Sequence, residues 1–170
     1  MQDTVVYAIG DVHGCYKELR SLEQRILLDA LPFRGRKIII MLGDYVDRGP
    51  NSKRVLDHLI APAPKGFLRV CLAGNHEVAM LGYLDGHLSR ELWLPIGGIE
   101  TLYSYGVDPA RLGDLYGSSE EVDRRIREAI PASHVSFMRT LPVLVCSRKF
   151  VFVHAGIRRG FERAQHHQPF

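Results

Sequence analysis

The chain has few cysteines, and no two of them lie close together. Cys15, Cys71 and Cys146 are its three in 170 residues. An odd number without a CxxC pair argues against a disulfide framework or a cysteine-based zinc site and fits a reducing compartment. All three read as small packing residues. Long apolar runs are also missing. Met1-Gln2-Asp3-Thr4 has no basic flank and leads into a short run only, so no signal peptide, transit peptide or membrane span is read. The expected address is the cytoplasm. Charge of one sign is scarce too: 22 basic against 19 acidic residues leave +3. That excess is too small for a nucleic-acid coat, but it suits an anionic substrate if basic residues gather at one mouth. The clusters Arg34/Arg36/Lys37 and Arg124/Arg125/Arg127 read as solvated faces. Low-complexity segments and linkers are absent, so one domain is expected.

Several motifs that would direct the chemistry elsewhere are absent as well. There is no DxDxDG loop for Ca²⁺, no GxxxxGK[ST] phosphate loop and no GxSxG nucleophile elbow.

What is present is a repeated architecture. Val5 to Ile9 is a β-branched apolar run broken by Gly10-Asp11-Val12-His13-Gly14, a buried strand and a tight turn. From Tyr16 the period changes: Leu19, Leu22, Ile26 and Leu27 share one helical face as far as about Ala30. Lys37 to Leu42 is a second strand, ending in Gly43-Asp44-Tyr45-Val46-Asp47-Arg48-Gly49. Pro50-Asn51-Ser52 opens a helix with the stripe Val55, Leu56, Leu59 and Ile60, stopped by Pro62, Pro64 and Gly66. Phe67 to Ala73 is a third strand, followed by Gly74-Asn75-His76-Glu77 and another helix. The order βαβαβα implies an α/β fold on a parallel sheet with right-handed crossovers.

Between Asp85 and Ser118 no period is clear, and Gly106, Asp108, Pro109 and Gly113 read as turn formers. Ser118 caps a helix carrying Val122, Ile126 and Ile130, and Pro131 separates it from another containing Val135 and Met138. Val143 to Cys146 and Phe150 to Val153, joined by three residues, suggest a hairpin that ends at His154.

Four strand ends therefore offer Asp11 and His13, Asp44 and Asp47, Asn75 and His76, and His154. A carboxylate just past a buried parallel strand sits where open α/β sheets place ligands. Carboxylate, imidazole and amide oxygen without thiolate suit Mn²⁺, Fe or Zn²⁺ better than a structural zinc. His58, His87 and His134 are given no catalytic role; His58 and His87 are expected to face solvent.

Gly10–Gly14, Gly43–Gly49 and Gly74–Glu77 resemble the GDxHG, GDxxDRG and GNHE signatures of the calcineurin-like metallophosphoesterases. The DRG ending resembles the phosphoprotein phosphatase branch, and Val153-His154-Ala155-Gly156 is similar to the next family block. Trp93 to Gly106 (WLPIGGIETLYSYG) resembles bacterial members that are serine/threonine phosphatases or symmetrical bis(5′-nucleosyl)-tetraphosphatases.

The resemblance implies a central β-sandwich of mixed sheets flanked by helices. It also implies two divalent cations, Mn²⁺ first, with Fe, Zn²⁺ or Ni²⁺ as alternatives. Asp11, His13 and Asp44 would hold one; Asp44, Asn75 and His154 the other. Arg48 would grip phosphoryl oxygens, with Asn75 beside it on the substrate. His76 would protonate the leaving group, and Asp47 would orient His76 and keep it cationic. The implied reaction is in-line attack on phosphorus by a metal-bridging hydroxide.

On this basis the expected function is serine/threonine protein phosphatase. A symmetrical diadenosine tetraphosphate hydrolase and a non-catalytic metal- or phosphate-binding remnant are the alternatives. The substrate is thus a phosphoprotein or a dinucleoside polyphosphate, with no nucleic-acid or membrane partner; the sequence says nothing of oligomeric state. The resemblance covers about residues 4 to 158. The expected division is a metallophosphoesterase domain over 1–158 and a polar tail over 159–170, in a chain lacking the family's last strands and its Gly-His-Thr-like segment through truncation or a frame shift.

Overall fold

The computed structural model describes residues 3–147 and 149–156. The expected tail 159–170 lies outside them. Three strands, β1 (Thr4–Ile9), β2 (Arg36–Met41) and β3 (Phe67–Cys71), form a parallel sheet in the order β1-β2-β3. Ile9 pairs with Met41 and Met41 with Cys71, so the three strands stop on one line. The turns that follow them leave from a single sheet edge, and this register is what gathers the site.

Side-chain alternation divides the sheet into two faces. Ile9, Ile39 and Met41 point into the main core, against Leu19 and Ile26 of α1 (Tyr16–Asp29) and Val55, Leu56 and Leu59 of α2 (Ser52–Ile60). Met80 and Tyr83 of α3 (Asn75–Leu84) join them. Ile38, Ile40 and Leu72 face the other way and pack on Val145 and Phe152. Those two belong to an antiparallel hairpin, β4 (Leu144–Cys146) and β5 (Val151–Val153). The result is a helical layer, a parallel sheet and a second, antiparallel sheet, which is the mixed α/β arrangement expected. Among the described residues the second sheet has two strands.

The middle of the chain is more regular than its sequence suggests. It forms α4 (Arg90–Trp93), a 3₁₀ turn (Leu94–Ile96), α5 (Gly98–Ser104) and α6 (Pro109–Tyr116). Helices this short show too few turns for a periodic signal and are held by tertiary burial, here of Trp93 and Leu102. Asp108 and Pro109, read as turn formers, instead start α6: the Asp108 carboxylate accepts from the backbone of Ala110 and Arg111. Further on, α7 (Ser119–Ala129) and α8 (Ala132–Thr140) lie where expected.

Two local expectations are corrected. Cys15 is exposed rather than packed. His58 is not a solvent-facing residue: its Nε2 lies 2.7 Å from the buried Glu23 carboxylate. Burial pushes the Glu23 carboxyl up, but His58, Arg69 and Arg20 outweigh it and hold the group below its usual range. Arg69 also donates to the carbonyls of His58, Leu59 and Ala61, closing the C-terminus of α2. His134 has a structural task, with Nδ1 2.7 Å from the Tyr105 hydroxyl and Nε2 3.0 Å from Asp57.

Candidate active site

The turns at the sheet edge are wound tightly. Among the described residues, four that are not glycine have positive φ: His13 (41°), Asp44 (55°), Asp47 (68°) and Arg48 (66°). Such backbone persists only where its surroundings hold it, and it concentrates at functional sites. The first two turns are laced together. The N–H groups of Val12 and His13 donate to the Asp44 carbonyl at 3.0 and 2.8 Å, and Gly14 N–H donates to the Tyr45 carbonyl at 2.9 Å.

The third turn supplies Glu77, which is 1% exposed. Its carboxylate accepts from the backbone of Asp44 (2.9 Å), Tyr45 (2.7 Å), Val46 (3.2 Å) and Gly74 (2.9 Å). Burial pushes this carboxyl up, and the four N–H donors oppose the rise.

Gly43 is where the second and third turns touch. Its φ is +106°, and a Cβ there would lie 2.7 Å from the Gly74 nitrogen. Gly43→Ala is expected to destabilise the protein by about 2 kcal/mol or more, since backbone meets backbone and neither can yield. Urea denaturation checks this; an unchanged midpoint would contradict the close approach.

Asp44 lies at the centre, 3% exposed. Its Oδ2 is 3.6 Å from His13 Nε2, 3.4 Å from His154 Nε2 and 3.9 Å from His76 Nε2. Its Oδ1 accepts the His76 backbone N–H at the start of α3, where a helix N-terminus favours negative charge. Two clusters with metal-ligand geometry share it. Asp11, Asp44 and His154 form one, and His13, Asp44 and His76 the other, with the ligand atoms of each within 4.8 Å of one another. The sequence-predicted residues Asp11, His13, Asp44, Asn75 and His154 are brought together, but not in the expected groups: Asp11 lies with His154 rather than with His13, and His76, expected only to act on the leaving group, falls among the ligand atoms beside His13.

The ring hydrogen bonds show whether this set suits a cation. His13 Nδ1 lies 2.9 Å from the Val46 carbonyl and His154 Nδ1 2.9 Å from the Leu42 carbonyl. Each therefore carries its proton on Nδ1 and turns the Nε2 lone pair inward, the arrangement of metal-ligating histidine. His154 Nε2 lies 3.0 Å from Asn75 Oδ1 and 3.4 Å from Asp44 Oδ2, which gathers imidazole, amide oxygen and carboxylate at one point. The donor set fits divalent metal.

Arg48 is exposed at the mouth, with Nη1 3.0 Å from His13 Nε2. A planar guanidinium fork at this place can take two oxygens of an anion in exchange for the His13 contact. Behind it Asp47 is wholly buried, and its Oδ2 lies 2.8 Å from His76 Nδ1. Burial pushes the Asp47 carboxyl up, while His76, Thr101 and Trp93 pull it back.

Glu77, Trp93 and Thr101 are contributors to which the sequence assigns no role. Glu77 closes the quoted GNHE motif, and Trp93 and Thr101 lie in the quoted 93–106 stretch. No local pattern assigns them, since all their site partners but Gly74 lie 31 to 54 positions away.

Carboxylates and imidazoles thus gather at a common point, with an arginine at the mouth and a histidine backed by a buried aspartate. The sequence profile of the calcineurin-like phosphoesterases matches residues 4–167, and the chain belongs to that family.

Among curated proteins it is 26% identical over 156 residues to the asymmetrical bis(5′-nucleosyl)-tetraphosphatase PrpE of Bacillus subtilis, covering 88% of this chain and 57% of that one. It is 29% identical over 152 residues to the symmetrical bis(5′-nucleosyl)-tetraphosphatase of Methylococcus capsulatus, covering 89% and 43%. The symmetrical enzyme of Erwinia tasmaniensis is 33% identical over 154 residues, covering 89% and 44%. The chain spans about half the length of these relatives. A solved structure ascribed to a diadenosine tetraphosphatase superposes with a TM-score of 0.52 at 18% identity, over 97% of this chain and 60% of that one, a likeness of fold. Among the described residues no helix is long and apolar enough to cross a membrane.

Proposed function

We propose that the chain hydrolyses dinucleoside tetraphosphates, with a pair of divalent cations bound around Asp44. The observation that carries the chemistry is the sharing of Asp44 by both ligand clusters, one of which contains His76, itself held by Asp47. The substrate class is supported by the relatives, which are named as bis(5′-nucleosyl)-tetraphosphatases.

Asp11, His13 and Asp44 would hold one cation, and Asp44, Asn75 and His154 the other. When bound, such ions neutralise phosphate charge and lower the pKa of a water molecule that attacks phosphorus. Arg48 takes two oxygens of the reacting phosphate and fixes it in line. As the P–O bond to the leaving phosphate breaks, His76 gives the proton on Nε2 to the departing oxygen. Its Nδ1–H stays on Asp47, which holds the ring and offsets its positive charge before transfer.

His76→Asn is expected to lower kcat by about 10²–10⁴-fold while metal content stays unchanged. Equal losses of metal and rate would move His76 into the ligand set. A second reading, hydrolysis of phosphoserine or phosphothreonine, is favoured by the DRG ending of Gly43–Gly49. Turnover with Mn²⁺ on diadenosine tetraphosphate and on a phosphopeptide separates the two. The proposal expects the dinucleotide to be cleaved with the higher kcat/KM; the reverse order would replace it with the phosphatase reading. Cleavage of neither would leave a binding remnant.

A further inference from the structure

We propose that Trp93 and Thr101 are positioning residues for proton transfer, clamping the Asp47 carboxylate so that His76 is held on the leaving group. This rests on the reading of His76 as proton donor and assigns the parts behind it.

The His76 ring has one fixed side-chain partner on Nδ1, Asp47, so its orientation can be no better defined than that carboxylate. A carboxylate with one partner rotates about its Cβ–Cγ bond, and Asp47 is prevented from doing so. Oδ2 receives the Trp93 indole N–H at 3.2 Å besides His76, and Oδ1 receives the Thr101 hydroxyl at 2.8 Å. The Asp47 backbone N–H donates in return to Thr101 Oγ1 at 2.7 Å, which fixes the main chain through a residue in the left-handed region. Ser52 Oγ lies 3.0 Å from Thr101 Oγ1. Because the anion is the stronger acceptor, the Thr101 proton goes to Asp47 and Ser52 donates to Thr101. Every polar atom of this buried group is then satisfied, the condition under which such a network stiffens rather than weakens a site.

Both clamping donors come from one folded-over segment. Gly98 lies against the Trp93 indole so closely that a Cβ there would meet the ring at 2.7 Å. Trp93 is fully buried and stacks on Tyr83 with centroids 4.8 Å apart and planes at 23°. The Gly97 carbonyl accepts the Arg48 N–H at 3.1 Å. Residues 93–101 thus set the backbone of the arginine that grips phosphate and the carboxylate behind the proton donor, tying the two in register.

The test compares leaving groups. Trp93→Phe keeps the stack on Tyr83 and removes the N–H; Thr101→Val keeps the shape and removes the hydroxyl; Thr101→Ser restores it. With Mn²⁺ present, kcat and KM are measured on phenyl phosphate, whose leaving oxygen needs a proton, and on 2,4-dinitrophenyl phosphate, whose leaving oxygen does not. The expected result for Trp93→Phe and Thr101→Val is a loss in kcat of about tenfold or more on phenyl phosphate. Little change is expected on the dinitrophenyl ester or in KM, and Thr101→Ser should approach the unmodified chain. Equal losses on both esters, or a serine variant no better than valine, would overturn the clamp.

A second readout needs no turnover. Trp93 is the single tryptophan of the chain, so its indole N–H is one resonance in the apoprotein. Thr101→Val should shift both it and the His76 Nδ1–H and speed their exchange, while the amide spectrum reports an intact fold. Unmoved resonances would overturn the clamp even if the unmodified chain turned over neither ester, a result that would count against the phosphoesterase reading separately.

Discussion

Asp44→Asn is expected to cut turnover by about 10³-fold or more and to leave the fold intact. The two effects separate because the two carboxylate oxygens have different tasks. Oδ1 accepts the His76 backbone N–H at 3.1 Å, and an asparagine oxygen can do the same. Oδ2 faces the Nε2 atoms of His13, His154 and His76 at 3.4–3.9 Å, where an amide NH₂ brings neither negative charge nor a lone pair for a cation. Asparagine also keeps the volume of aspartate, so the melting temperature of the apoprotein should hold. Rates on any phosphoester, read beside a thermal melt with and without Mn²⁺, check both halves. Near-normal turnover would remove Asp44 from the centre of the site.

Glu77→Ala should do the opposite, striking the fold first. The substitution strips the acceptor from the N–H groups of Asp44, Tyr45, Val46 and Gly74 inside a region that water does not reach. Each unsatisfied donor costs about 1–3 kcal/mol, so a loss on the order of 5 kcal/mol is expected even after some relaxation. That is comparable with the whole stability of a small domain, roughly 5–15 kcal/mol. Glu77→Gln keeps the volume and one acceptor oxygen, so two of the four N–H groups stay paired and the loss should be smaller than for alanine. Urea denaturation of the apoprotein decides it; an alanine variant within about 1 kcal/mol of the unmodified chain would mean that those N–H groups find other partners.

The contrast between Asp44 and Glu77 also explains what the sequence could disclose. Asp11, His13, Asp44, Asn75 and His154 each follow a largely apolar, strand-like run, so a strand signal and a chemistry signal coincide. Parallel register does the rest, bringing distant turns to one edge. Glu77 carries no such double signal. Nothing local says that a glutamate in the first turn of α3 will reach back 33 positions to hold Asp44. Trp93 and Thr101 are hidden for the same reason, inside short helices whose existence depends on the burial of Trp93 and Leu102. His58 misleads in the other direction. Its place among polar residues on a helix suggests solvent, whereas Glu23 of the neighbouring helix is buried beside it. The DRG ending points to a phosphoprotein first, whereas the curated relatives are named for dinucleoside tetraphosphates. Motif residues carry the shared chemistry, and the walls that choose a substrate lie outside them.

Everything in the proposed mechanism turns on one carboxylate serving two cations at once. Calorimetric titration of the apoprotein with Mn²⁺, repeated on Asp44→Asn, reads that directly. Two sites per chain, reduced to one weak site or none in the variant, is the expected result. A single site in the unmodified chain, or two sites surviving the substitution, would contradict a shared Asp44.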